Sequence, residues 1–202
     1  MKNRKIIPLA LSLIAVLGLS KCQQAAKSEL PELKQNENLN GFQTLEEYGK
    51  HLVTTSLCHD CHTPKKMGPN GPENDFEIQL SGHPAELPLP VIDREYLEKN
   101  GIIATQSLTA WIGPWGVSYA GNLTPDEDTG IGLWTEEQFF VSLRQGKFKG
   151  LKNGRSLLPP MPWDMIQHMK DDEIKAIFAY LKSIKPVNNL VPNALPPTHA
   201  MK

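Results

Sequence analysis

The chain has 202 residues, 40% of them hydrophobic, with 21 Lys and Arg against 22 Asp and Glu for a formal charge of −1. That length suffices for one domain with its own core, and the ordinary balance of apolar and charged residues excludes a chain disordered throughout, a coiled coil or a many-pass membrane protein. Cys22 stands alone while Cys58 and Cys61 form one close pair, so a disulfide framework is excluded as well.

In chain order, Lys2, Arg4 and Lys5 precede an apolar run over residues 6–19, the outline of an export signal. The run is shorter than the ~20 apolar residues needed to cross a bilayer, so residues 1–21 read as a signal rather than a permanent span. Leu19-Ser20-Lys21-Cys22 resembles the lipobox of bacterial lipoproteins, with Lys21 where a small residue is usual, and makes Cys22 the candidate lipidation site. Removing 1–21 leaves 17 basic against 22 acidic residues, a formal charge of −5. That balance argues against nucleic acid as a partner, which needs a surplus of cations facing phosphates.

Residues 22–43, polar and without apolar periodicity, read as a flexible tether. Thr44 and Glu47 have the spacing of a capping box and open a first helix through Leu45, Tyr48, Leu52 and Val53. The stretch 64–104 is dense in Pro and Gly and reads as mostly loop, with one helical turn at 93–99. Over 102–120, β-branched and aromatic residues split by Gly113-Pro114 suggest a short hairpin. Thr135 and Gln138 form another capping box, opening a helix through Phe139, Phe140 and Leu143 that Gly146 stops. A short helix follows Pro162. The clearest helix carries Ile174, Ile177, Phe178, Leu181 and Ile184 at helical spacing, opens on Asp171, Asp172 and Glu173, and ends at Pro186. The Pro-rich residues 191–202 form an extended tail.

Cys58-His59-Asp60-Cys61-His62 is a Cys-x-x-Cys-His motif, read as a c-type heme attachment site. Two thiols with two residues between them at a helix end can reach the two vinyl groups on one porphyrin edge, and the next side chain then lies under the iron. Cys58 and Cys61 would form the thioethers and His62 the proximal ligand. The competing readings are a redox dithiol, half a zinc site or a structural disulfide. Zinc would need a second pair of ligands, and a thioredoxin-like motif would sit beside a βαβ pattern rather than between a helix and a Pro-rich loop.

A six-coordinate carrier needs a ligand on the opposite face, for which Met161 in Leu158-Pro159-Pro160-Met161-Pro162-Trp163 is the candidate. Its soft thioether favours reduced iron, and flanking prolines stiffen the loop. Met165, Met169, His83, His168 and His199 are the other possibilities; His59 and His168 read as solvent-facing. Asn122, Asp126, Glu127 and Asp128 lack EF-hand spacing and read as turn formers rather than a calcium site. The basic run Lys147, Lys149, Lys152 and Arg155 reads as a solvated loop that could also steer an acidic partner.

The heme motif, Gly113-Pro114-Trp115-Gly116, the stretch from Asn122-Leu123-Thr124-Pro125-Asp126 to Gly132, the Met161 loop and Ala176-Ile177-Phe178-Ala179-Tyr180-Leu181-Lys182-Ser183 together resemble the cytochrome c family. The resemblance covers about residues 44–190 and fits the single-heme type with a long insertion, here at about 64–122. Similar segments occur in cytochrome subunits that take electrons from membrane-associated alcohol and aldehyde dehydrogenases, although those often carry several heme motifs. The resemblance implies an all-α fold around one covalent heme c, with a loop-rich insertion. Its first and last helices would cross near 48–57 and 174–184, with Tyr180 and Leu181 at the crossing. Trp163 would line the heme edge or propionates, or else serve as an aromatic core residue.

The expected function is one-electron transfer, without substrate chemistry, between redox partners: a dehydrogenase or quinol-oxidising complex as donor, an oxidase or another carrier as acceptor. The expected place is the periplasmic side of a bacterial membrane, held by a lipid anchor. The rival is a heme enzyme or gas sensor with an open sixth iron position.

Overall fold

The computed structural model describes residues 39–198; the expected signal over 1–21, Cys22, most of the tether and His199 lie outside the described residues. Helix α1 (Leu45–Thr55) starts where expected, with the Thr44 hydroxyl accepting from the Glu47 amide at 3.1 Å. The reciprocal half of the box is displaced by one residue, because the Glu47 carboxylate accepts from the Gln43 amide. Phe42, within the expected tether, stacks on Tyr48 with ring centroids 5.3 Å apart.

After the motif helix α2 (Cys58–His62), the insertion departs from the expected loop. Strands β1 (Lys65–Gly68) and β2 (Gly71–Asn74) pair as an antiparallel hairpin. No alternation of apolar residues announces it, since Gly71-Pro72-Glu73-Asn74 contains none; a proline is tolerated there because a two-stranded ribbon is all edge. Helix α3 (Arg94–Asn100) is capped by Asp93. Strands β3 (Ile103–Ala104), β4 (Ala110–Gly113) and β5 (Gly116–Tyr119) form an antiparallel sheet in that order, turning at Pro114-Trp115. The helical core and the hairpin expected over 102–120 are both present, the latter as β4 and β5, while the β1–β2 ribbon and strand β3 add strand structure to an insertion expected to be mostly loop.

Helix α4 (Glu136–Gln145) has the complete Thr135–Gln138 capping box and ends on Gly146 in the left-handed region. The short α5 (Trp163–Ile166) leads to α6 (Asp171–Ser183), where the Glu173 carboxylate accepts from the Lys170 amide at 2.7 Å. Val53 of α1, Phe139 and Leu143 of α4, and Ile174, Ile177, Tyr180 and Leu181 of α6 bury one core with Leu80 and Ile131. Each fully buried aliphatic side chain there contributes roughly 1.5–3 kcal/mol of transfer free energy. α1 crosses α6 at Gly49, where a Cβ would lie only 1.9 Å from the Ala176 carbonyl oxygen.

Residues 187–198 run back over the insertion. The Asn189 side chain donates to the Ser81 and His83 carbonyls and accepts from the Ala85 amide, Leu195 pairs with Val117, and Thr198 donates to the buried Glu98 carboxylate.

Candidate heme-attachment site

α1 ends and α2 begins through Leu57, held in the left-handed region at φ 60°, an uncommon conformation for a non-glycine residue. The turn starts a new five-residue helix that carries both thiols and the imidazole of the motif. Its last carbonyls are capped by one cation: the Lys65 ammonium donates to the His59, Asp60 and Thr63 carbonyls at 3.3, 2.9 and 2.7 Å. Positive charge at a helix C-terminus is favourable.

The His62 ring is fixed by the far end of the insertion. Its Nδ1 lies 2.8 Å from the Gly121 carbonyl oxygen. A carbonyl only accepts, so Nδ1 carries the proton and Nε2 keeps its lone pair. This is the tautomer and the outer hydrogen bond that a metal-ligating histidine uses. Burial pushes the pKa of His62 down, which favours the neutral, ligating form.

The two thiols are free and partly buried. Burial pushes Cys58 up to about 11, with the Cys61 and Asp60 charges adding to it, and Cys61 is raised chiefly by burial too. A dithiol that exchanges disulfides works as the thiolate and has a lowered pKa, so the redox-dithiol reading fits this pair poorly. For zinc, no three His, Cys, Asp or Glu side chains converge as a metal cage among the described residues.

His59 is corrected from a solvent-facing residue to a buried one. Its Nδ1 pairs with the Thr63 hydroxyl at 2.9 Å and its ring stands edge-on to Phe76. Thr63 in turn accepts from the Leu80 amide, so His59 ties the motif to the insertion. His168 is exposed, as expected. His83 is fully buried with both nitrogens engaged, Nδ1 with the Thr109 hydroxyl at 2.8 Å and Nε2 with the Leu87 carbonyl at 3.0 Å, and so offers no free lone pair. Met165 is 65% exposed, whereas Met161, Met169 and Cys58 all pack against the common core. Trp163 lies flat on Gly146, where a Cβ would come within 2.4 Å of the indole.

Elsewhere the polar groups serve the fold. Asp126 accepts from the amide and hydroxyl of Thr129, and Asn122 from those of Thr124. In the basic run, Lys152 pairs with Glu137 at 2.8 Å and Arg155 stacks over Phe148 at 3.7 Å. Two contributors to the site, Gly121 and Lys65, escape a reading of the sequence alone. Any residue can offer a carbonyl, so Gly121 has no signal, but a lysine three residues past the motif helix is a readable C-terminal cap.

A sequence profile of cytochrome c matches residues 46–185. The chain belongs to the cytochrome c family. Membership implies a covalently bound heme c and a role in electron transfer. The chain is 38% identical over 76 residues to the fructose dehydrogenase cytochrome subunit of Gluconobacter japonicus, covering 37% of this chain and 15% of that protein. It is 39% identical over 75 residues to the cytochrome c subunit of alcohol dehydrogenase (quinone) of Gluconobacter oxydans, with the same two coverages. It is 37% identical over 75 residues to the gluconate 2-dehydrogenase cytochrome c subunit of Pantoea cypripedii, covering 37% of this chain and 16% of that one. The chain thus spans only a small part of the relatives it matches. Among the described residues no helix is long and apolar enough to cross a membrane.

Proposed function

We propose that this chain is a single-heme c-type cytochrome that carries one electron at a time between extracytoplasmic redox partners. Cys58 and Cys61 would hold the porphyrin through thioethers, His62 would ligate the iron through Nε2 and Met161 through its sulfur, with Trp163 at the heme edge. When bound, the heme supplies a ferrous/ferric couple. The protein's part is to fix two ligands so that they move little as the iron changes charge, and to exclude water from around them. The observation that carries this reading is the bond from His62 Nδ1 to Gly121, which presents Nε2 as a lone pair beside two unpaired thiols.

The dehydrogenase cytochrome subunits among its relatives support a dehydrogenase as donor, with an oxidase or a further carrier as acceptor. Export and lipid attachment at Cys22 would place the domain on the periplasmic side of a bacterial membrane, and encounters with partners would be small and transient. The test is a visible spectrum of the exported protein, oxidised and reduced, with an intact mass. One heme that survives acid–acetone extraction, a ferric iron–methionine charge-transfer band and a ferrous form inert to carbon monoxide are expected. Pigment that extracts freely refutes the attachment, and avid carbon monoxide binding by the unaltered protein turns the assignment toward an open-iron sensor or enzyme.

A further inference from the structure

The insertion reaches both candidate iron ligands from one short piece of chain. Gly121, just past β5, accepts from His62. Three residues earlier, within β5, the Ser118 hydroxyl donates to the Pro159 carbonyl at 2.5 Å, two residues before Met161. Ser118 is itself held, because its oxygen accepts from the Trp115 indole N–H at 3.1 Å. The indole can fold back over the hairpin to make that bond because position 113 is glycine: a Cβ there would stand 2.5 Å from the ring. Gly116, at φ +90°, closes the turn, a conformation that glycine adopts without steric cost. The Gly113-Pro114-Trp115-Gly116 turn therefore has a purpose in this fold: it aims one N–H at one hydroxyl.

We propose that the Trp115–Ser118–Pro159 relay holds the methionine loop against the domain, making Ser118 a positioning residue for the sixth iron ligand, with Trp115 as its brace. The hydroxyl donates once and accepts once, and it is buried, so water cannot readily replace it. The Met161 amide donates to the Leu158 carbonyl and the Pro162 carbonyl accepts from the Met165 and Ile166 amides; those bonds are local to the loop and α5, whereas the Ser118 hydroxyl ties Pro159 to the insertion. The relay gives the insertion a role at the redox centre rather than at its periphery. This inference rests on Met161 being the ligand.

The test uses holoprotein carrying Ser118→Ala, Trp115→Phe, Ser118→Thr or Met161→Ala. The readouts are carbon monoxide binding to the reduced form, the ferric iron–methionine band, the midpoint potential and the melting temperature. Ser118→Ala and Trp115→Phe should keep the covalent pigment but raise the fraction with the sixth position open by about fivefold, the effect of losing one hydrogen bond. Carbon monoxide uptake should rise accordingly, the band weaken and the potential fall. Ser118→Thr, which keeps the hydroxyl, should restore the band. A lowered melting temperature with carbon monoxide binding and potential unchanged would make Ser118 merely structural and overturn the proposal. If Met161→Ala itself keeps the band and excludes carbon monoxide, the axial assignment fails first and the relay's role falls with it.

Discussion

Gly49 sits where α1 meets α6, and Gly49→Ala measures how much that crossing matters. The added Cβ would lie 1.9 Å from the Ala176 carbonyl oxygen, 2.5 Å from its carbon and 2.7 Å from the Tyr180 Cβ. The two nearest atoms belong to the backbone of another helix and the third is fixed to it, so no side-chain rotation relieves the clash and the helices must separate. Overpacking of this kind costs about 1–3 kcal/mol and occasionally more; with backbone as the obstacle, the upper end applies. Alanine in place of glycine within a helix returns about 1 kcal/mol. The net expectation is a loss of about 2 kcal/mol, or about 4–8 °C in melting temperature for a domain of this size. Denaturant unfolding of the holoprotein followed by far-UV circular dichroism measures it, with Gly101→Ala as the control, since nothing lies within 4 Å of a Cβ there and the backbone is extended. A Gly49 variant as stable as the parent would show that the crossing tolerates wider spacing and that the core does not depend on this close approach.

Three further outcomes follow from the same reasoning. Burial pushes the Glu98 carboxyl up, but bonds from the Thr198 amide and hydroxyl and from Arg94 outweigh it and hold the group below the usual carboxylate range. Its stabilisation is therefore complete above the unfolded value near pH ~4.3 and is lost as pH falls through the lower folded value; Glu98→Gln should lower stability at pH 7 and lose that effect in acid unfolding measurements. His83→Ala should leave the heme spectrum unchanged while costing about 1–3 kcal/mol, because the Leu87 carbonyl loses its imidazole donor and the Thr109 hydroxyl keeps only Ser107 as a partner; a changed spectrum would reinstate His83 as a ligand. Met161→His should keep six-coordinate iron but lower the midpoint potential in a redox titration, since the thioether favours reduced iron.

What the sequence discloses is short-range. The Thr135–Gln138 box, the Gly146 stop, the Asp93 helix and the Cys58-to-His62 motif each depend on residues within a few positions of one another, and their chemistry is legible in any context. The misses have other causes. β1 and β2 are held by backbone pairing that needs no apolar pattern, so Pro72 and Gly71 disguise them as loop. His59 looks like a surface residue because its burial is made by Phe76 and by Thr63, whose hydroxyl is occupied by Leu80. At the candidate site, the thiols, the imidazole and the methionine can be named from spacing, whereas the carbonyl of Gly121 that orients the imidazole lies 59 residues away. Met161 stands out in the sequence through its proline-braced loop; its place on the core it shares with Cys58 can be known only from the fold.

The return of residues 187–198 over the insertion bears on the order in which this protein can acquire its shape. Asn189 meets Ser81 across 108 positions and Thr198 meets Glu98 across 100, and such distant pairings are entropically late because the intervening loop must close first. Synthesis delivers the Cys-x-x-Cys-His motif long before the segment that locks its surroundings. A chain cut at residue 186 would display both thiols and the imidazole with Asn122 beside Gly121 lacking the Val187 carbonyl that anchors it, so the cradle is complete only once residues 187–198 have docked.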